Sequence, residues 1–170
     1  MDIEYSKESF LDEVKQGNIE MVKLFLQARV DFNVKDNWKD TALLVASSHG
    51  KTDIVKLLVD TRANVNASSD DGTTVLMEAS IMGYTDIVKL LINKGANINA
   101  RDNDGTTALH HASYNGHTAI VKLLVDEGAS INCRTNSGFT ALEIISSKEH
   151  TAIVKLLTDK EANCSSTMLS

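Results

Sequence analysis

The chain has 170 residues, with 17 basic against 23 acidic side chains and a formal charge of −6, which argues against a counterion-releasing grip on nucleic acid or on an anionic membrane. No apolar run approaches the roughly 18 residues of a membrane span, and the opening MDIEYSKESF has neither the basic segment nor the apolar stretch of a secretory leader. The two cysteines, Cys133 and Cys164, lack a CxxC or histidine partner at ligand spacing, so free thiols in a reducing, cytoplasmic setting are expected.

A period of 33 residues organises the rest. Ile-Val-Lys-Leu-Leu stands unchanged at 54–58, 87–91, 120–124 and 153–157, with a looser copy from Met21 to Phe25. Thr41-Ala42-Leu43, Thr74-Val75-Leu76, Thr107-Ala108-Leu109 and Thr140-Ala141-Leu142 are spaced alike. A fixed period of this size marks a stacked-repeat architecture. Residues 3–35 form a degenerate first unit, in which Phe10-Leu11 fills the Ala-Leu slot, Gly17 ends one helix and Ile19 to Leu26 makes another. Glu13 stands where later units have Ala46, Ala79 and Ala112, and a charge there suits the water-facing side of an amino-terminal cap.

Units two, three and four span 36–68, 69–101 and 102–134. In the fourth, Thr107 is expected to cap a first helix that carries Leu109 and Ala112 on one face and closes at Gly116. Thr118 is expected to cap a second helix, with Ile120, Val121, Leu123 and Leu124 as its apolar stripe, Lys122 opposite, and Gly128 at its end. Two helices of about ten residues cannot bury such faces alone, so the units must stack. The fifth unit, 135–167, departs from the pattern, because Ile145 replaces the small alanine while Glu149 and Glu161 replace both glycines. It is expected to be a carboxy-terminal cap, which makes residues 1–170 one complete five-unit domain with a frayed polar tail.

The pattern D-x-x-G-x-T-A-L-H-x-A-x-x-x-G-x-x-x-I-V-x-L-L-x-x-x-G-A-x-I-N, read from Asp102 to Asn132, resembles the ankyrin repeat over nearly the whole chain. The resemblance implies an all-α solenoid of stacked helix-turn-helix units with β-turn fingers. It also implies protein recognition along the concave side and no chemistry of its own. The chain departs from the family at several points. Ala42, Val75, Ala108 and Ala141 occupy its usual proline position, and only Thr107 with His110 keeps the threonine–histidine pairing, which Leu44, Met77 and Glu143 break elsewhere. Arg29 and Arg62 stand where Gly95 and Gly128 mark a glycine slot. If that slot needs positive φ, each arginine costs on the order of 1 kcal/mol and softens the amino-terminal half.

His49, His110, His111 and His117 invite a metal. However, His110 and His111 point about 100° apart on a helix, and no HExxH or placed cysteine completes a ligand set, so neither metal nor another cofactor is expected. Phosphate loops and G-x-S-x-G are absent, and no residue is assigned to catalysis. Glu78 and the aspartates are read as a solvated face.

The positive signal lies in slots that vary while the frame stays constant. On the first helices these are Val45/Ser48/His49, Glu78/Ile81/Met82, His111/Tyr114/Asn115 and Ile144/Ser147/Lys148, grouped by helical spacing. On the fingers they include Trp38, Asp40, Asp71, Asp104 and Phe139. The resemblance implies that such slots line the concave contact surface. Val45 and Ile144 are expected in the core, whereas Ile81, Met82 and Tyr114 are expected to be exposed, as suits interaction hot spots. The expected contact set is therefore Trp38, Asp40, His49, Asp71, Ile81, Met82, Asp104, His111, Tyr114 and Phe139. Lys23, Lys56, Lys89, Lys122 and Lys155 recur at one slot of the second helix and are placed on the convex back. A monomer that binds a protein or peptide, without nucleic acid or membrane, is the expected function. One alternative is a small inhibitor or adaptor acting on a partner enzyme. Another is a substrate of asparaginyl hydroxylation, since Asn66, Asn99 and Asn132 resemble the Val/Ile-Asn turn that such hydroxylases use in related repeats.

Overall fold

The computed structural model describes residues 6–29, 31, 35, 40–145 and 150–167, and these form helix pairs stacked in a row. The pairs are α1 (Lys7–Gln16) with α2 (Ile19–Gln27), α3 (Ala42–Ser48) with α4 (Thr52–Asp60), α5 (Val75–Met82) with α6 (Thr85–Asn93), and α7 (Ala108–Tyr114) with α8 (Thr118–Asp126). A single longer helix, α9 (Thr151–Thr167), follows. Helices α1, α3, α5 and α7 pack side by side as one layer, and α2, α4, α6, α8 and α9 form the second. Among the described residues no strand occurs, and isolated antiparallel bridges join Lys35 to Thr41 and Ser68 to Thr74. The architecture is the all-α solenoid that the resemblance implied, with the stacking that the period implied.

Local chemistry explains the helix boundaries. The hydroxyls of Thr41 and Thr74 accept from the backbone N–H of Leu44 (3.4 Å) and Met77 (3.3 Å), satisfying donors that the helix itself leaves free. The first-layer helices run out at Gly17, Gly50, Gly83 and Gly116, all with positive φ between 65° and 87°. A left-handed residue there turns the chain back on itself without steric cost.

The start of each second helix differs from expectation. Thr118 does not cap α8; it lies inside the first turn, and His117 occupies the cap position without a side-chain cap bond. Lys51 and Tyr84 do the same for α4 and α6. The link is so short that the backbone serves itself. Thr118 N–H donates to the Gly116 carbonyl (2.9 Å) and His117 N–H to that of Ala112 (2.9 Å).

Stacking creates the core. Leu43, Leu76 and Leu109 with Ala46, Ala79 and Ala112 fill the first layer, and each is at most 1% exposed. Ile54, Ile87, Ile120 and Ile153 repeat in the second layer with Leu58, Leu91, Leu124 and Leu157, equally buried. Each such side chain contributes roughly 1.5–3 kcal/mol. The alanines are small because adjacent helices of the first layer approach one another there.

That slot corrects two expectations. Glu13 occupies it in α1 and is half-buried, with Oε2 out of water and without a hydrogen-bond partner, because α1 packs against α3 rather than facing solvent at this position. In the fifth unit no helix forms over 141–145, where the backbone makes turns and the Ile145 N–H reaches the Leu142 carbonyl only at 3.4 Å. Two consecutive β-branched residues do not account for this, since Ile54-Val55, Ile87-Val88 and Ile120-Val121 are helical. Ile144 and Ile145 are both half-buried, so Ile144 is not the core residue expected. Ser147, Lys148, Glu149 and the side chain of Cys164 lie outside the described residues.

Candidate protein-recognition surface

Between the helix pairs, short fingers project from the first layer. Each is closed at its base by a backbone bond: Ser69 N–H to Thr73 O (3.1 Å), Asp102 N–H to Thr106 O (3.0 Å) and Thr135 N–H to Phe139 O (2.9 Å). Neighbouring fingers are also tied together. Asn103 N–H donates to Asp71 O (2.9 Å) and Asn136 N–H to Asp104 O (2.8 Å). Their side-chain amides add bonds to Asp70 O (3.2 Å) and Asn103 O (2.9 Å). The fingers are thus a laterally bonded comb whose backbone is held in place before any partner arrives.

Behind the comb, asparagines clamp the units. The Asn66 side chain accepts from Asn97 N–H (2.8 Å) and donates to Gly95 O (3.5 Å), and Asn99 repeats this with Ser130 N–H (2.8 Å) and Gly128 O (3.3 Å). Both ends of each amide are used, which gives these two residues a structural duty in the inter-unit turns. Asn132 is exposed.

Compared with protein families, the chain matches ankyrin repeats (3 copies) over residues 11–102 and 99–168. It belongs to the ankyrin-repeat family. No curated protein matches the chain. Ankyrin repeats generally mediate protein–protein interactions, and the family is typically non-enzymatic. Among the described residues no helix is long and apolar enough to cross a membrane, and no group of three or more His, Cys, Asp or Glu could hold a metal ion.

On this ankyrin frame the expected contact residues separate. Met82 (47% exposed), Tyr114 (62%) and Phe139 (51%) are open to solvent. The other large apolar side chains exposed among the described residues, Leu24 and Val154, lie on the second layer. Ile81 is half-buried, not exposed as expected. Its slot is partly covered, since Ser48 is half-buried there too, whereas the larger Tyr114 is exposed. Val45 is buried, as expected. His49 is exposed but engaged at the end of its own helix, with Nδ1 2.9 Å from Val45 O and 3.0 Å from Ser48 Oγ. Asp104 is exposed, Asp40 is half-buried, and Trp38 lies outside the described residues.

The acidic residues are not a uniform solvated face. Asp71 curls into its finger and accepts from the Ser69 hydroxyl and from Thr73 N–H (2.9 Å), which holds its carboxyl below the usual range. Asp102, which is absent from the expected set, accepts from the N–H groups of Asp104 (3.0 Å) and Thr106 (2.7 Å) and lies 3.2 Å from His111 Nε2. Glu78 is half-buried, and burial raises its carboxyl above the usual range, helped by the nearby charges of Asp40 and Asp71. The electrostatic setting of Glu78 was invisible in sequence because the charges that act on it come from two different units.

The Thr107–His110 pairing read from the sequence is present, but the reach of His110 to the next finger and the packing over the first-helix glycines escaped sequence reading. The fully buried His110 has Nδ1 3.2 Å from Thr107 N and 2.8 Å from Thr107 Oγ1, while Nε2 lies 3.2 Å from Phe139 O. It therefore positions the finger that presents Phe139. The residue after each first-helix glycine lies over the equivalent glycine of the preceding unit. A Cβ on Gly83 would meet the His117 ring at 2.7 Å, one on Gly50 would meet Tyr84 at 2.7 Å, and one on Gly116 would meet His150. His117 Nε2–H also donates to Ile81 O (2.9 Å). The recurring lysines Lys23, Lys56, Lys89, Lys122 and Lys155 are all exposed on the second layer.

Proposed function

We propose that this protein binds a protein or peptide across its finger tips and first-layer helix ends, by equilibrium recognition without making or breaking a bond. The observation that carries this is the exposure of Met82, Tyr114 and Phe139 on slots that differ between units, over a frame that repeats closely. Exposed Met and aromatic side chains on a preorganised surface are the composition of interaction hot spots. The bland alternative, that these are ordinary surface residues, predicts no shared effect on any partner. The setting proposed is the cytoplasm, with the protein acting as a monomer.

The test is mutagenesis against a partner obtained by affinity capture. Met82→Ala and Tyr114→Ala should each weaken binding about thirtyfold, or roughly 2 kcal/mol, with the melt unchanged. Lys89→Ala and Lys122→Ala on the second layer should leave binding intact. The reverse pattern would move the site to the opposite face. Assaying the captured partner's own activity separates a passive binder from an inhibitor or adaptor.

A further inference from the structure

We infer that this surface selects a basic segment, one that sets a lysine or arginine against Glu78 and an apolar side chain on Met82 and Tyr114. The inference rests on the proposed binding function and narrows it to a partner chemistry.

Glu78 and Met82 are one helical turn apart on α5 and share a face. Tyr114 holds on α7 the slot that Ile81 holds on α5, and these helices pack directly against each other. A carboxylate and an exposed apolar pair therefore adjoin. Glu78 makes no hydrogen bond or ion pair among the described residues, and its charge interacts with those of Asp40 and Asp71. One unit further on, the slot of Glu78 is taken by His111, which meets the carboxylate of Asp102 at 3.2 Å. A finger acid meets a potential cation in unit four, whereas Glu78 in unit three lies within electrostatic reach of the finger acid Asp71 and has no such cation on its own finger.

The distribution of cations makes the contrast sharper. Helices α3, α5 and α7 and the fingers at 69–73 and 102–106 contain no lysine or arginine; Lys35 is exposed at the base of the preceding finger, and Lys39 within it lies outside the described residues. Arg101, at a finger base, donates to Cys133 Sγ (2.9 Å), and Arg134 donates to Glu143 (2.9 Å). The lysine row is exposed on the other layer. A half-buried carboxylate among like charges gains most from a cation brought by the partner, through a charge-assisted bond and relief of repulsion. The same field speeds the approach of a basic segment and repels an acidic one. The Tyr114 ring offers a face on which a guanidinium can rest beside its carboxylate partner.

Panning a phage-displayed library of random linear peptides against the full chain tests this directly. Selected peptides should be enriched in Lys or Arg next to large apolar residues. As synthetic peptides they should lose affinity about tenfold or more on Glu78→Gln, and again when salt rises from about 0.05 to about 0.3 M. Versions with Lys or Arg replaced by Glu should not bind, a result that needs no protein variant. Peptides that depend on Met82 and Tyr114 yet are neutral or acidic, or are indifferent to Glu78→Gln, would overturn the inference and leave the binding function standing. Peptides indifferent to Met82→Ala and Tyr114→Ala, or no selected peptides at all, would count against both.

Discussion

Arg29 and Arg62 hold φ values of 58° and 70° in the turn where Gly95 and Gly128 hold 86° and 93°. An L side chain in that region strains the backbone by roughly 1–2 kcal/mol, offset by up to about 1 kcal/mol because glycine gains more freedom in the unfolded chain. Arg62→Gly is therefore expected to stabilise the protein by about 0.5–1 kcal/mol, read as a higher urea midpoint. An unchanged or lower midpoint would mean that the arginine side chain makes contacts outweighing the strain. The glycines differ among themselves in a second respect. A Cβ on Gly95 meets nothing within 4 Å, whereas one on Gly83 meets a His117 ring held by its bond to Ile81 O. Gly83→Ala should consequently cost more than Gly95→Ala, by about 1–3 kcal/mol of overpacking; equal costs would show that the ring moves aside freely. The arginine strain was legible in the sequence because the period puts Arg62 in register with two glycines. The second duty of Gly83 was not, because spacing reveals a turn but not what the next unit lays upon it.

Helix α7 carries a titrating group that α3 and α5 replace with Leu44 and Met77. His110 accepts at Nδ1 from Thr107 N–H and donates at Nε2 to Phe139 O, so it is bound as the neutral ring. Burial pushes its pKa below the ordinary histidine value, against the opposing pull of its carbonyl partners. The unfolded chain then takes up the proton first, so stability present at neutral pH declines as pH falls through about 6.5 and continues to fall until the folded ring itself titrates. Urea midpoints measured from about pH 7.5 down to about pH 5.5 should drop more for the parent protein than for His110→Leu. Equal slopes would mean that His110 protonates without loss. At this scale the helix pairs were legible from Thr-Ala-Leu, glycine and Ile-Val-Lys-Leu-Leu in turn. Thr118 misled because a hydroxyl at a helix start looks like a cap whether or not a tight link has already supplied the cap residue. The turn over 141–145 was hidden because Thr140-Ala141-Leu142 matches the pattern that starts a helix in the other units.

Across the whole molecule, stability resides at the seams between units as much as within them. The fifth unit supplies Phe139 O to His110, the Asn136 bonds to the fourth finger, and the packing of α9 on α8. Deleting residues 135–170 should uncover the apolar edge of α7 and α8 and cause aggregation or a lower, broader melt, checked by light scattering and thermal denaturation. A truncated chain that stays monomeric and melts as before would make the fifth unit dispensable to the fold. The stack was legible at this scale because four near-identical cores can only be buried by one another. The charge character of the candidate surface was not, since the charges that act on Glu78, those of Asp40 and Asp71, belong to two separate units.

The contacts across each seam follow the same numbering offset, which bears on how such a chain can lengthen. Tandem duplication of residues 102–134 would bring the His117 of the new copy onto Gly116 of the old, as it now lies on Gly83. The new Asn103 would meet the old Asp104 carbonyl, as Asn136 does. The old Asn132 would face a new Gly128 and Ser130, as Asn99 does. Most junction bonds of the insert therefore have a precedent in the existing molecule, and the exception is the old Asp126, which now meets Lys160 (3.1 Å) and would instead meet the new Glu127. Recombination within the repeat would extend the array by a second Tyr114 and a second His111–Asp102 pair, with Glu127→Lys in the new copy restoring the lost ion pair.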